Sequence, residues 1–198
     1  MVNSEFEGRP SEARDRLLRT AARIFYAEGI RAVGIDRIVA EAQVTRATLY
    51  RHFPGKEELV LAYLAEADRA VRGQTGTVVA AGLTPADAVR ALSRSIAEGI
   101  RLPGFRGCAF LNAVAEHPDP GSAVHRAVVA HRRWFLDTVT ELFAQVHEKP
   151  AGPAARHFVM MRDGAMTAGC LFDPELVGDT FRDGVEKLLQ VHAAGDPP

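Results

Sequence analysis

Cysteine, long apolar runs and alternating strand patterns are all scarce in this sequence, and each shortage removes a class of protein. The two cysteines, Cys108 and Cys170, make no disulfide framework and fit a reducing compartment. No apolar run is long enough to span a bilayer, and the opening residues MVNSEFEGRP lack the basic and apolar regions of a signal peptide. A cytoplasmic protein with no membrane partner is therefore expected. No repeat period and no useful apolar/polar alternation occur, which points to an all-α fold. Enzyme signatures are missing as well: there is no glycine-rich phosphate loop after a strand, no GxSxG, no HExxH and no carboxylate pair at a defined spacing. No catalytic residue and no cofactor are expected. His117, His125 and His131 with Cys108 match no compact ligand spacing, so no metal is expected either.

What is present is an ordinary globular composition of 198 residues, 47% apolar and 25% charged, enough for one or two small domains with a real core. The net charge of −1 conceals an asymmetry. From Arg9 to Lys56 there are ten Lys or Arg against five Asp or Glu, whereas from Glu57 onward 14 basic residues face 18 acidic ones. Positive charge is concentrated at one end of the chain, as a phosphate-binding surface requires.

That basic segment contains IDRIVAEAQVTRATLYRHFPGK, residues 35–56. At helical period it divides into two short helices around a tight turn. Ile38, Val39 and Ala42 form the apolar side of the first, Val44 fills the turn, and Leu49 and Phe53 continue the apolar side on the second. Thr45 stands where an N-cap belongs, its hydroxyl able to accept a backbone N–H. Arg46, Ala47, Thr48, Tyr50 and Arg51 are left outside, which is the arrangement of a helix-turn-helix; the plainer reading is an αα-hairpin with a solvated basic face. An arginine at the front of the second helix can take O6 and N7 of a guanine, Ala47 can meet a thymine methyl, and Thr48 can bond a base edge or a phosphate. Lys56 opens a further helix whose N–H groups favour an anion.

Residues 14–59, through RLLRTAARIFYAEG, IDRIVAEAQVTRATLYRHF and PGKEEL, resemble the DNA-binding domain of the tetracycline-repressor (TetR) family of bacterial regulators. Two positions depart from the family pattern. Gln43 stands at the turn usually held by Gly, and a left-handed residue there costs about 1–2 kcal/mol. Gly34 stands at a helix start usually held by Thr or Ser and brings no hydroxyl to a phosphate. The resemblance implies double-stranded DNA as partner, a palindromic operator, a homodimer, and release from DNA when a small-molecule effector binds. It also implies phosphate contacts by Tyr50 and Lys56, with Arg37 and His52 as further DNA-facing candidates. A repressor is the expected role; the alternatives are an activator of the same fold, an architectural DNA binder and an all-α enzyme.

The expected organisation is an arm at 1–10, a DNA-binding domain at 11–56, a helical ligand-binding and dimerisation domain at 57–192, and a tail at 193–198. Ser11 caps a helix over Glu12–Glu28, ended by Gly29. Further helices are expected from about Lys56 to Arg72, then after a loop over Thr84–Arg101, Cys108–Glu116, Ser122–Glu148, Ala154–Leu171 and Pro174–His192. Cys108, Asn112 and Glu116 share one face of a short helix. They suit either a ligand site or a hydrogen-bonded core, as does His131 within an apolar stripe. A pocket is expected among the helices at 84–101, 108–116, 122–148 and 154–171, with Asn112, Glu116 and His131 as polar groups and Phe110, Phe135 and Met160 as walls. Glu116 there would favour a cationic or hydrogen-bond-donating ligand over a carboxylate such as a free fatty acid. Two apolar faces on the helix at 154–171 suggest a dimer interface through Phe158, Met161, Ala165, Phe181, Val185 and Leu188.

Overall fold

Helix boundaries in the structure, a computed structural model that describes residues 12–146 and 150–193, follow local signals wherever packing does not override them. Nine helices run through the described residues: α1 (Glu12–Glu28), α2 (Ile35–Glu41), α3 (Arg46–His52), α4 (Lys56–Val79), α5 (Pro85–Ile100), α6 (Ala109–Glu116), α7 (Ala123–Val146), α8 (Ala151–Ala168) and α9 (Pro174–Ala193). No strand occurs among those residues, and no helix is long and apolar enough to cross a membrane. The expected arm at 1–10, its neighbour Ser11 and residues 194–198 of the expected tail lie outside the described residues, as do 147–149 after α7.

Thr84 starts α5, accepting the Asp87 N–H at 3.2 Å, with Pro85 at the first helical position where no donor is lost. Gly29 ends α1 with φ +91°, a backbone conformation that any side chain would strain. Two helices differ from the sequence reading. The expected end of α4 at Arg72 is seven residues early. Gly73 and Gly76 weaken that stretch by about 1 kcal/mol each. However, Thr75 is buried and Gln74 donates to Ser95 of α5 at 2.5 Å, so tertiary packing carries the helix on. The expected start of α8 at Ala154 is three residues late. Pro153 falls in the first turn, where a backbone N–H has no intrahelical acceptor anyway, so Gly152-Pro153 belongs to the helix.

Two apolar cores result. The first joins α1, α2, α3 and the first half of α4, through Leu17, Ile24, Ile38, Leu49, Leu59 and Leu64, and it takes in Phe110 and Ala113 of α6 with Val124 and Val128 of α7. The second joins α5, the rest of α7, α8 and α9 around Leu92, Phe143, Phe158 and Phe181. The first core thus extends beyond Lys56: α4 and α6 seal the N-terminal unit and tie it to the bundle.

Candidate functional site

The turn between α2 and α3 is built as a helix-turn-helix requires. Gln43 has φ +52°, the one positive value at a non-glycine position among the described residues. The Thr45 hydroxyl accepts the Thr48 N–H at 3.1 Å and lies 2.9 Å from the Thr48 hydroxyl, a cap worth about 1 kcal/mol. Leu49 is fully buried and fixes the roll of α3. Arg46, Ala47, Tyr50 and Arg51 therefore face solvent, with Thr48 and His52 half-buried beside them. Gly34 caps α2 without a side-chain bond.

Two of the expected contact arginines are engaged within the domain. Arg46 donates from Nε to Asp36 at 2.6 Å, and that carboxylate raises its affinity for its proton. Arg37 donates to Glu41 at 2.8 Å and to Glu28 at 2.6 Å, while Arg23 also donates to Glu41 at 2.5 Å. The Arg37 bond lowers the Glu28 pKa, and the Arg23 and Arg37 bonds lower that of Glu41. Arg37 is thus a clamp holding α2 against the end of α1, and its guanidinium is committed to protein carboxylates. Lys56 is half-buried, and desolvation lowers its pKa against the opposing field of Glu116.

Glu116 occupies a different place from the one expected. Its carboxylate accepts the Ile30 N–H at 2.9 Å and the Arg31 N–H at 2.6 Å, so α6 grips the loop between α1 and α2. A Cβ on Gly29 would stand 3.3 Å from that carboxylate, which leaves little room for any other residue. A second tie lies alongside: the Tyr26 hydroxyl of α1 donates to the Gly107 carbonyl at 2.9 Å and accepts the Arg106 N–H at 2.9 Å. Asn112 donates to the Arg106 carbonyl at 2.9 Å and holds the same loop.

A cavity of about 440 Å³ lies between the two cores. Its walls come from α4 (Ala67, Val71, Gln74), α5 (Leu92, Ser95, Ile96), the connection to α6 (Phe105, Gly107, Cys108), Phe110 of α6, Phe135 of α7, Arg162 and Met166 of α8, and Tyr26 of α1. Cys108, Phe110 and Phe135 stand where the sequence reading placed them. His131 and Met160 do not, while Asn112 and Glu116 share a neighbouring cavity of about 560 Å³ with Cys108. His131 lies behind Phe110, its ring stacked on that phenyl at 3.5 Å and its Nδ1 2.7 Å from Asp68, and burial lowers its pKa despite that carboxylate. Arg106 and Cys170 also line the neighbouring cavity. Met160 is 69% exposed on the outside of α8. Of the α4 wall, Gln74 and Thr75 were missed because that helix was expected to stop at Arg72, whereas Ala67, Ala70 and Val71 lay within the expected helix and were not assigned to a pocket. Arg162 was missed although its signal was present: it falls in the buried stripe Phe158, Arg162, Ala165, where a charge is out of place unless it has work to do. Among the described residues no cluster of His, Cys, Asp or Glu could hold a metal ion.

The expected dimer residues also divide. Phe158, Ala165, Phe181 and Val185 are inside the second core, because the two apolar faces of α8 are covered by α7 and α9 of the same chain. Met161 and Leu188 are half-buried and border an outer surface carrying exposed Met160, Phe172, Leu176 and Val191.

Fold and turn together define a helix-turn-helix DNA-binding protein with an appended helical bundle. Residues 17–63 match the family model for bacterial regulatory proteins of the tetR family. SCO4454, a TetR-family transcriptional regulator from Streptomyces coelicolor, is 66% identical over 93% of this chain and 97% of its own, with a TM-score of 0.92. The regulator LmrA of Bacillus subtilis is 28% identical over 86 residues, which are 43% of this chain and 46% of that relative, so the chain matches less than half of its length. AibR, solved with isovaleryl coenzyme A and operator DNA, shares the fold at 21% identity and a TM-score of 0.69, covering 93% of this chain and all of its own. The chain belongs to the TetR family, whose members are transcriptional regulators and not enzymes.

Proposed function

We propose that the protein is a cytoplasmic homodimeric repressor that binds a palindromic operator and is released from it when a small molecule enters the cavity between the two cores. The observation that carries this reading is the sharing of residues. Tyr26 and Gly107 both line the cavity and form the hydrogen bond that ties α1 to the bundle. A ligand that displaces the 105–108 connection moves α1, and α1 carries α2 and α3 through the Arg37 clamp. Two recognition helices must meet successive major grooves roughly 34 Å apart, so a small tilt in each subunit destroys the match. A ligand does this only through its greater affinity for the mismatched state. In this reading Arg46, Ala47 and Thr48 face bases, and Thr45, Tyr50, Arg51, His52 and Lys56 face phosphates.

The second copy docks on the outside of α8 and α9. Met160, Phe172, Leu176 and Val191 are large apolar side chains exposed on these two helices and the turn between them, which supports that placement. AibR, of the same fold, was solved with both an acyl-coenzyme A and operator DNA, which supports a two-ligand mechanism. Sequencing genomic fragments retained by the purified protein tests the reading. A single palindromic motif is expected, recovered as a complex of two chains. Retention without sequence preference would instead mean an architectural binder.

A further inference from the structure

The arginine in the cavity wall decides what the cavity can hold. Arg162 is 5% exposed, and α8 presents it to a space whose other walls are mainly apolar. Its Nη1 donates to Asp163 at 2.9 Å and lies 3.4 Å from the Cys108 sulfur, while Nε has no acceptor among the described residues. A guanidinium has five N–H donors in a planar fork, so most of its capacity is unspent. Its charge is also incompletely balanced. Asp163 is shared: Arg132 binds the same carboxylate through both oxygens, at 2.9 Å through Nη1 and more closely through Nη2. One carboxylate between two guanidinium groups leaves one positive charge in surplus beside an apolar cavity, with the Arg162 guanidinium over the Phe135 ring at 5.4 Å, and Asp68 of α4 is bonded by Arg72 and His131. Buried charges persist in proteins when something pairs with them.

We propose that the effector is a monoanion, a carboxylate on an apolar body, with the carboxylate on Arg162 and the body against Ile96, Phe105, Phe135 and Met166. This rests on the cavity being the effector site, and it reverses the preference for cations that a cavity-facing Glu116 would have given. Gln74 and Ser95, bonded to each other at 2.5 Å in the α4 and α5 walls, supply further polar groups for a substituent on the body. One surplus charge matches one carboxylate; the dianion of a phosphate monoester would be left with charge unpaired.

The test uses matched pairs: benzoate, 2-naphthoate and decanoate, each beside its primary amide, titrated calorimetrically into the full-length protein. At least one carboxylate should bind about tenfold or more tightly than its amide, the usual worth of a charge-assisted bond. Arg162→Met should bring the ratio near one, and Arg162→Lys should keep part of it. In Arg162→Met the Asp163 carboxylate retains Arg132, and a thermal melt checks that the variant is folded. Amides binding as well as acids to the wild type, no carboxylate binding at all, or an acid preference that survives Arg162→Met would each overturn the proposal. Release of selected DNA is read separately. An acid that binds through Arg162 without releasing DNA would refute the sensor mechanism and leave the anion site standing.

Discussion

Asp36 occupies the Nε and Nη2 edge of Arg46, and we expect Arg46 to leave it on turning toward a guanine, so Asp36→Asn should strengthen DNA binding. In the free protein the Arg46 guanidinium donates to Asp36, and the two side chains are 63% and 69% exposed. An ion pair that open to water is weak and screened by salt. A bidentate arginine–guanine contact discriminates by about ten- to a hundredfold, so DNA wins the exchange and the pair subtracts only a small tax. Removing it should tighten the selected site by about two- to fivefold per half-site, the upper end of what an exposed pair is worth. Removing a carboxylate near phosphates would help any DNA, so the affinity gain alone does not identify Arg46 as the route. A double-mutant cycle does. Competition binding is measured for wild type, Asp36→Asn, Arg46→Ala and the double variant, on the selected site and on one with its guanines replaced. The gain should vanish in the Arg46→Ala background and on the substituted site. A gain of equal size in all cases would mean that Asp36 acts as bulk charge and that Arg46 does not read a base.

Gln43→Gly should relieve the left-handed strain at φ +52°, offset in part by the greater freedom of glycine in the unfolded chain. A net gain of about 0.5–1 kcal/mol is expected, seen as a melting temperature higher by about 1–4 °C, and a lower one would refute the strain. Burial holds the His131 imidazole below its usual value near 6.5, so as pH falls through that range the unfolded chain takes up a proton that the folded chain refuses. Stability from this group is therefore full above about pH 6.5 and erodes below it; His131→Gln should flatten the change in urea midpoint between about pH 7.5 and 5.5, and an unchanged slope would place the titration elsewhere. Met160→Glu combined with Leu176→Glu alters two residues that are exposed in the single chain, so folding should survive while sedimentation shows monomers that no longer retain operator DNA. Persistent dimers would move the interface off α8 and α9.

The DNA-binding half was legible because its determinants are local. The cap at Thr45, the apolar side of α2 and α3 and the exposed front of α3 lie within twenty residues, where helical period alone decides which side chains point out. Which side chains line the cavities and which faces of α8 and α9 stay exposed was legible only in part, because both depend on which helices meet. The two apolar faces of α8 read as a surplus that needed a second copy, yet α7 and α9 cover them both. Met160, taken as a wall, lies on the outer surface, because a single helix does not say which of its apolar faces its neighbours will take. Glu116 shared a face with Cys108 as expected, but its carboxylate turns toward the loop after α1, where it accepts two backbone N–H groups that lie outside any helix.

The position of the cavity bears on how much regulation the contacts around it can carry. It opens at the seam between the two cores, not inside the second, and the N-terminal unit reaches that seam through α6 and α4. Among the described residues the polar ties beside the cavity include Tyr26 to the 106–107 backbone, Gln74 to Ser95 and, within the N-terminal unit, Glu116 of α6 to the 30–31 backbone. Neutral ties of the first kind contribute about 0.5–1.5 kcal/mol each, and bonds to a carboxylate about 1.5–3, less where one end is exposed, as at Arg31. Allosteric coupling free energies between two sites typically amount to about 1–3 kcal/mol. Loosening a single tie is therefore of the right size to shift the operator-competent state, whereas unfolding a core, at several times that energy, is not required. This also explains why Arg162 belongs in this wall. A charged group beside the 105–108 connection, 3.4 Å from Cys108, gives an anionic ligand something to pull against at the point where the DNA-binding unit is attached.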